Sequence, residues 1–148
     1  MARRGLAWAD AFDAPMYNTY LWVAMLDPVE LAEGHDPDTG ERLPGTVIGD
    51  VAEVDHLGRR AWEAVLRPTP AYQPRCACCA LLWSRESDLI EYGPEGLRED
   101  YPEAYRVRLD VGTGVCVLAE DLDGSPRGRG HSLRIEAVDE PMDDGLFL

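Results

Sequence analysis

The alternation of apolar and polar positions is clearest in the second half of the chain. Residues 106–111 alternate strictly, which places Val107, Leu109 and Val111 on the buried face of a predicted strand. Residues 132–137 alternate in the same way and predict another strand.

Between these two segments, residues 115–119 are apolar throughout and predict a central strand that continues after a bulge at Gly112 and Gly114. This strand and residues 133–138 are expected to form a hairpin. Its long loop is the Gly-rich stretch 121–130.

The first half of the chain predicts a second hairpin. Residues 46–54 and 61–66 flank a short polar segment, with Gly58 in its turn. Residues 35–40 contain Pro and Gly at turn spacing and predict a tight turn. Residues 16–26 are rich in Tyr, Thr, Trp and Val, which favours a strand covered on both faces.

Helical signals are weaker and leave two alternatives for residues 80–92. Either the whole segment is one amphipathic helix, or a strand over residues 79–85 precedes a helix capped by Asp88 with Glu91 as its partner. Pro at the first position also predicts short helical turns over residues 94–100 and 102–105.

About five strands with one or two short helices between the hairpins predict an α+β fold with a mostly antiparallel sheet. A chain of 148 residues is expected to form a single globular domain over residues 1–148. Residues 139–148 form an acidic tail with an apolar end, Leu146, Phe147 and Leu148. The tail is either flexible or docked, on its own chain, a second copy or a partner.

The net charge of −14 narrows the classes of partner. It opposes direct binding to nucleic acid and to anionic membranes, and residues 27–55 hold nine acids against one arginine. We therefore expect a protein partner, and a basic one; the competing explanation is acidity for solubility alone. All fourteen basic residues are Arg, which is typical of a GC-rich genome such as that of an actinobacterium.

Localisation is predicted to be cytoplasmic. No apolar run reaches the length of a membrane span, and the N-terminus lacks the uninterrupted apolar core of a secretory signal. Reducing conditions there would favour free thiols or metal thiolates over disulfides.

The densest candidate chemistry is a cluster of three thiols, Cys76, Cys78 and Cys79. Cys76 and Cys79 have the C-x2-C spacing of a zinc knuckle, in which two intervening residues let both sulfurs turn toward one ion. The chain offers no second pair, so the remaining ligands would come from single residues: Cys78, Cys116, His56 and His131. Zinc is therefore the one candidate cofactor.

The same thiols allow three other interpretations. A helix N-terminus and Arg75 would favour a redox-active thiolate at Cys76, and a His base would make a thiol nucleophilic. Cys is also a frequent core residue, which is the interpretation favoured for Cys116. The sequence assigns no catalytic residue. It predicts a small acidic regulatory or accessory protein that acts through protein contacts, with a zinc-binding or thiol-dependent enzyme as the alternative; the oligomeric state stays open.

Overall fold

The computed structural model describes residues 19–76, 79–123, 130–141 and 143–147. Within these ranges the chain forms two helices, α1 (Thr19–Leu26) and α2 (Arg85–Tyr92), and seven strands. The strands are β1 (Glu33–His35), β2 (Arg42–Pro44), β3 (Thr46–His56), β4 (Arg59–Pro68), β5 (Tyr105–Asp110), β6 (Cys116–Asp121) and β7 (Gly130–Ser132). Short 3-10 turns cover Val29–Leu31, Pro94–Gly96 and Asp144–Phe147.

The predicted α+β fold is confirmed. Five strands pair antiparallel in the order β3-β4-β5-β6-β7, and β1 and β2 form a separate two-stranded sheet. The hairpin expected around Gly58 is present as β3 and β4. Leu57 and Gly58 both adopt positive φ, 49° and 88°, which is the backbone of the tight two-residue turn that matches strand twist.

The strand predicted over residues 16–26 is wrong for its described part, because residues 19–26 form helix α1. Leu21, Ala24 and Met25 have i, i+3, i+4 spacing, and this face packs into the core. The helix ends at Leu26 because Pro28 disfavours helical backbone at Asp27. Residues 16–18 lie outside the described ranges.

Both alternatives for residues 80–92 need correction. Helix α2 begins after Ser84, whose hydroxyl accepts a hydrogen bond from the Ser87 amide at 3.3 Å, so Asp88 lies inside the helix. Residues 79–84 form neither strand nor α-helix. Of the short helical turns expected nearby, the one at Pro94 is present, whereas residues 102–104 are not helical.

The C-terminal strands are shorter than predicted. Val111 is exposed and follows the end of β5, and Gly112 and Gly114 belong to the turn that reverses the chain into β6. Residues 133–138 are not a strand, since pairing with β6 stops at Ser132. The carbonyl of Leu133 instead accepts a hydrogen bond from His56. Parts of two predictions lie outside the described residues. They are residues 124–129 of the predicted loop, and Met142 and Leu148 of the tail.

The main core lies on one face of the five-stranded sheet. Leu66, Tyr105, Val107, Cys116 and Ala119 pack there against α1, Leu31 and residues 72, 81 and 82. The opposite face carries a ladder of ion pairs across three strands, in which Arg108 bonds Glu63 at 2.7 Å and Arg106 bonds Glu120 at 2.7 Å. Among the described residues, no helix is both long and apolar enough to cross a lipid bilayer.

Candidate functional site

The thiol cluster lies at the start of the irregular segment that precedes α2. The Cys79 amide donates to the Cys76 carbonyl at 3.0 Å, and both cysteines are partly exposed. Cys78, the third member, lies outside the described residues. Cys76 and Cys79 are therefore partly accessible residues joined by a backbone hydrogen bond.

Two of the three predicted ligands on the five-stranded sheet, Cys116 and His56, are engaged in other contacts. Cys116 is fully buried in the core, as its core interpretation predicted, and burial raises the pKa of its thiol to about 12. His56 bonds the Leu133 carbonyl through Nε2 at 3.0 Å and meets Arg108 through Nδ1 at 3.2 Å. A carbonyl only accepts, so Nε2 carries the proton and Nδ1 accepts from the guanidinium. Both nitrogens of His56 are thus engaged.

Zinc binding stays a prediction for this chain. In the ranges that the structure describes, no three His, Cys, Asp or Glu side chains are grouped so that they could hold a metal ion. Cys76 and Cys79 remain the pair with knuckle spacing. Cys116 is buried in the core, and both ring nitrogens of His56 are hydrogen-bonded.

Cys79 and His131, by contrast, border the same cavity, which has a volume of about 630 Å³. Its walls come from α1, from residues 79–83 and from β5, β6 and β7. They are lined by Leu21, Trp22, Cys79, Ala80, Leu81, Trp83, Tyr105, Asp121, Gly130 and His131. A cysteine, a histidine and an aspartate therefore line one cavity with apolar and aromatic walls, of the size that small-molecule sites have.

The protonation state of His131 follows from its one described partner. Nε2 lies 2.9 Å from the Cys116 carbonyl, so this nitrogen donates. Burial lowers the pKa of the ring, and the nearby His56 adds to that, while the bond to the carbonyl opposes it. The ring is thus neutral at pH 7, with Nδ1 as the acceptor nitrogen.

One wall of the cavity is fixed by side chains from distant parts of the chain. The amide of Leu81 donates to Glu30 Oε2 at 3.3 Å, and that of Leu82 donates to the Tyr72 hydroxyl at 3.1 Å. Tyr72 in turn donates to Glu30 Oε2. These side-chain bonds replace the ladder of a helix or strand, and they explain why residues 79–84 are irregular.

The hydroxyl of Tyr105 extends this network to the next residue. It accepts from the Trp83 amide at 3.0 Å and donates to the Trp83 carbonyl at 2.8 Å. Sequence reasoning missed Glu30, Tyr72 and Tyr105, since bonds between residues so far apart leave no local pattern.

Alkylation rates should distinguish the partly exposed cysteines from the buried Cys116. We expect iodoacetamide to alkylate Cys76 and Cys79 in the folded protein, and Cys116 only after unfolding, because the thiolate is the reactive form and burial disfavours it. Mass spectrometry of the digested protein gives each rate. Alkylation of Cys116 in the folded protein at the rate of Cys79 would contradict the buried placement.

A second candidate surface is the outer edge of the sheet at β3. No strand in the described ranges pairs with this edge, and most of β3 is exposed on both faces. Val47, Ile48 and Val51 are exposed apolar residues on it, and Trp62 on β4 is 48% exposed. Long apolar edge strands are rare in monomers because they recruit other strands.

The same edge is acidic and irregular. Strand β3 holds three acids, Asp50, Glu53 and Asp55, and no arginine. Its register against β4 shifts by one residue between Gly49 and Ala52, where Asp50 adopts a positive φ of 51°. Like charges on this strand oppose pairing with a second copy of itself.

Three arginines pair with acids of the same chain: Arg59 with Asp110, Arg60 with Glu53 and Arg75 with Asp27. These ion pairs neutralise part of the acidic surface within the fold.

Comparison of the chain with protein-family models, with curated proteins and with solved structures finds no significant match.

Proposed function

We propose that this protein binds another protein by adding a basic strand to the outer edge of β3. The observation that carries the proposal is an edge strand of eleven residues, exposed on both faces, that combines apolar side chains with three acids. Main-chain hydrogen bonds would supply affinity and alternate side chains would supply specificity.

The acidic side chains of β3 favour a basic partner strand over a second copy of the chain. A second copy of the chain would bring Asp50 and Asp55 against a strand of the same sign, which costs free energy across a sheet, whereas Glu53 is already paired with Arg60. A partner strand that alternates Arg or Lys with apolar residues would place its basic side chains on one face of the sheet and its apolar side chains on the other, so it would cover one of Val47 and Ile48, which point to opposite faces. The overall charge of −14 would steer such a partner toward the chain.

The test uses a synthetic peptide that alternates arginine with valine and threonine. We expect it to bind the protein, and we expect the affinity to fall as salt rises from about 0.05 M to about 0.5 M, because screening weakens the charge contacts. Isothermal calorimetry gives both results. A matched peptide with proline at its centre keeps the charge but cannot pair along the strand; equal binding of this control would contradict strand addition.

Variants of β3 give the complementary result. Val47→Thr combined with Ile48→Thr keeps β-branched side chains but removes apolar surface, so we expect binding of the peptide to weaken by about tenfold, or about 1.4 kcal/mol. The matched control is Ile90→Thr on α2, which is 65% exposed and far from β3 in sequence. If peptide binding weakened only in Ile90→Thr, or in neither protein, the peptide would not bind at β3.

Thiol chemistry at Cys79 is the second candidate, favoured by the cavity that Cys79 shares with His131. If His131 Nδ1 acts as its base, the variant His131→Gln should slow alkylation of Cys79 several-fold and leave Cys76 unchanged. Equal rates for Cys79 in the two proteins would remove this candidate.

A further inference from the structure

Glu30 carries a buried carboxyl group in the short 3-10 turn that follows α1, and the residue is only 2% exposed. Its Oε2 accepts hydrogen bonds from the Tyr72 hydroxyl and, at 3.3 Å, from the Leu81 amide. Its Oε1 is buried and has no hydrogen-bond partner in the part of the chain that the structure describes. An ionised carboxylate would give up the hydration of both oxygens here and regain bonds at only one, so this geometry disfavours the charged form.

The groups that face Glu30 offset this cost only in part. Arg75 is the nearby cation among the described residues, but its guanidinium also pairs with Asp27. On β6, a charge on Glu30 helps to raise the pKa of the Cys116 thiol. Burial is the largest influence and raises the pKa of Glu30 above its ordinary value of 4.5, while the Tyr72 hydroxyl, two backbone amides and the Arg75 charge act in the opposite direction. The folded protein therefore holds this proton more tightly than the unfolded chain does.

The hydrogen bonds around Glu30 fasten residues 79–84, which form neither strand nor α-helix. Glu30 accepts from the Leu81 amide directly, and Tyr72 links it to the Leu82 amide at 3.1 Å. Both leucines belong to the core. Because the Leu81 amide lies against the carboxyl group, displacement of this segment would let water reach Glu30.

We propose that Glu30 is a proton-binding site that controls how firmly residues 79–84 are held on the core. The neutral acid carries its proton on Oε1 and keeps Oε2 as the acceptor for Tyr72 and Leu81, so the segment stays closed. As the pH rises, Glu30 releases this proton to water, and its carboxylate is hydrated when the segment opens, so opening becomes more frequent. This inference is independent of strand addition at β3.

The sign of the effect on stability is opposite to that of a salt-bridged carboxylate. Because the pKa of Glu30 is higher in the folded protein than in the unfolded chain, its contribution to stability is complete below pH 4.5. The contribution is lost as the pH rises through the pKa of the folded protein.

Hydrogen exchange of the Leu81 and Leu82 amides, measured by NMR from about pH 5 to about pH 8, tests the proposal. Protection is calculated against an unstructured peptide at each pH, which removes the effect of hydroxide catalysis. We expect protection to fall by about threefold or more across this range in the parent protein, and to stay constant in Glu30→Gln, which has no proton to release. Glu53→Gln, which removes an exposed carboxylate, is the matched control and should retain the fall. Constant protection in the parent, an equal fall in Glu30→Gln, or loss of the fall in both variants would overturn the proposal.

Titration of the Glu30 carboxyl group keeps the proposal testable if Glu30→Gln does not fold. The carbon-13 chemical shift of this group, followed against pH in the parent protein, should have its midpoint above 4.5. The Glu53 carboxyl should titrate below 4.5, because its hydrogen bond from Arg60 lowers its pKa. A Glu30 midpoint at or below that of Glu53 would overturn the proposal.

Discussion

Replacing Tyr72 with Phe should lower the free energy of unfolding by about 3 kcal/mol, which is a large part of the stability of a small domain. The Tyr72 hydroxyl lies in the core, where it donates to Glu30 Oε2 and accepts from the Leu82 amide. Its removal leaves a buried carboxylate and a buried amide short of a partner. Urea unfolding followed by circular dichroism measures the change.

The loss of unfolding free energy in Tyr72→Phe should exceed that for an ordinary buried hydroxyl, because the partner of this hydroxyl is the Glu30 carboxylate. Glu30 is buried, its Oε1 has no described partner, and burial raises its pKa against the opposing effect of Tyr72. A control is Tyr101→Phe, which removes a hydroxyl paired with Asp88 at 2.7 Å from a partly exposed position. We expect about 1 kcal/mol there, since Arg98 still pairs with the Asp88 carboxylate at 3.5 Å after the hydroxyl is removed. Equal losses in the two variants would contradict a buried polar network.

Acid should remove the stabilisation that Asp110 supplies. Asp110 accepts two bonds from Arg59, at 2.8 and 3.1 Å, and two from Thr113, at 2.9 and 2.8 Å. The bonds from Arg59, followed by those from Thr113, lower the pKa of this carboxyl from 3.8 to about 2. Because the pKa of Asp110 is lower in the folded protein than in the unfolded chain, the ionised carboxyl stabilises the folded protein at pH values above the unfolded pKa. This contribution is lost as the pH falls from about 4 to about 2.

The variant Asp110→Asn tests this linkage. It should cost about 2 kcal/mol of unfolding free energy at pH 7 and much less near pH 2, where the Asp110 carboxyl of the folded protein is about half protonated and that of the unfolded chain is almost fully protonated. Glu53→Gln, which breaks an exposed pair with Arg60, is expected to leave the free energy nearly unchanged at both pH values. A cost for Asp110→Asn that is the same at pH 7 and pH 2 would show that charge is not its cause.

Local patterns were sufficient where the structure depends on neighbouring residues. The hairpin at Gly58 follows from a turn residue between two apolar segments, and β5 follows from strict alternation. Helix α1 was missed because Tyr, Thr, Trp and Val favour strands, although the i, i+3, i+4 spacing of Leu21, Ala24 and Met25 was there to be found. In the same way, Ser84 with acids in the following turn marked the true start of α2.

The cavity could not be predicted because its walls meet only in three dimensions. Its thiol and imidazole, Cys79 and His131, were both candidates, but nothing in the sequence places them beside Trp22 or Asp121. The irregular backbone of residues 79–84 depends on Glu30, Tyr72 and Tyr105, which are distant in sequence. Local residue propensities carry no information about these bonds, so the sequence predicted a helix or a strand for this segment.

Hydrogen exchange of the β3 amides, measured by NMR with and without the arginine-rich peptide, tests strand addition most directly. We expect alternate amides of residues 47–54, those directed away from β4, to exchange at least about tenfold more slowly in the complex, while α2 amides are unchanged. A peptide that binds without slowing any β3 amide would contradict strand addition at β3.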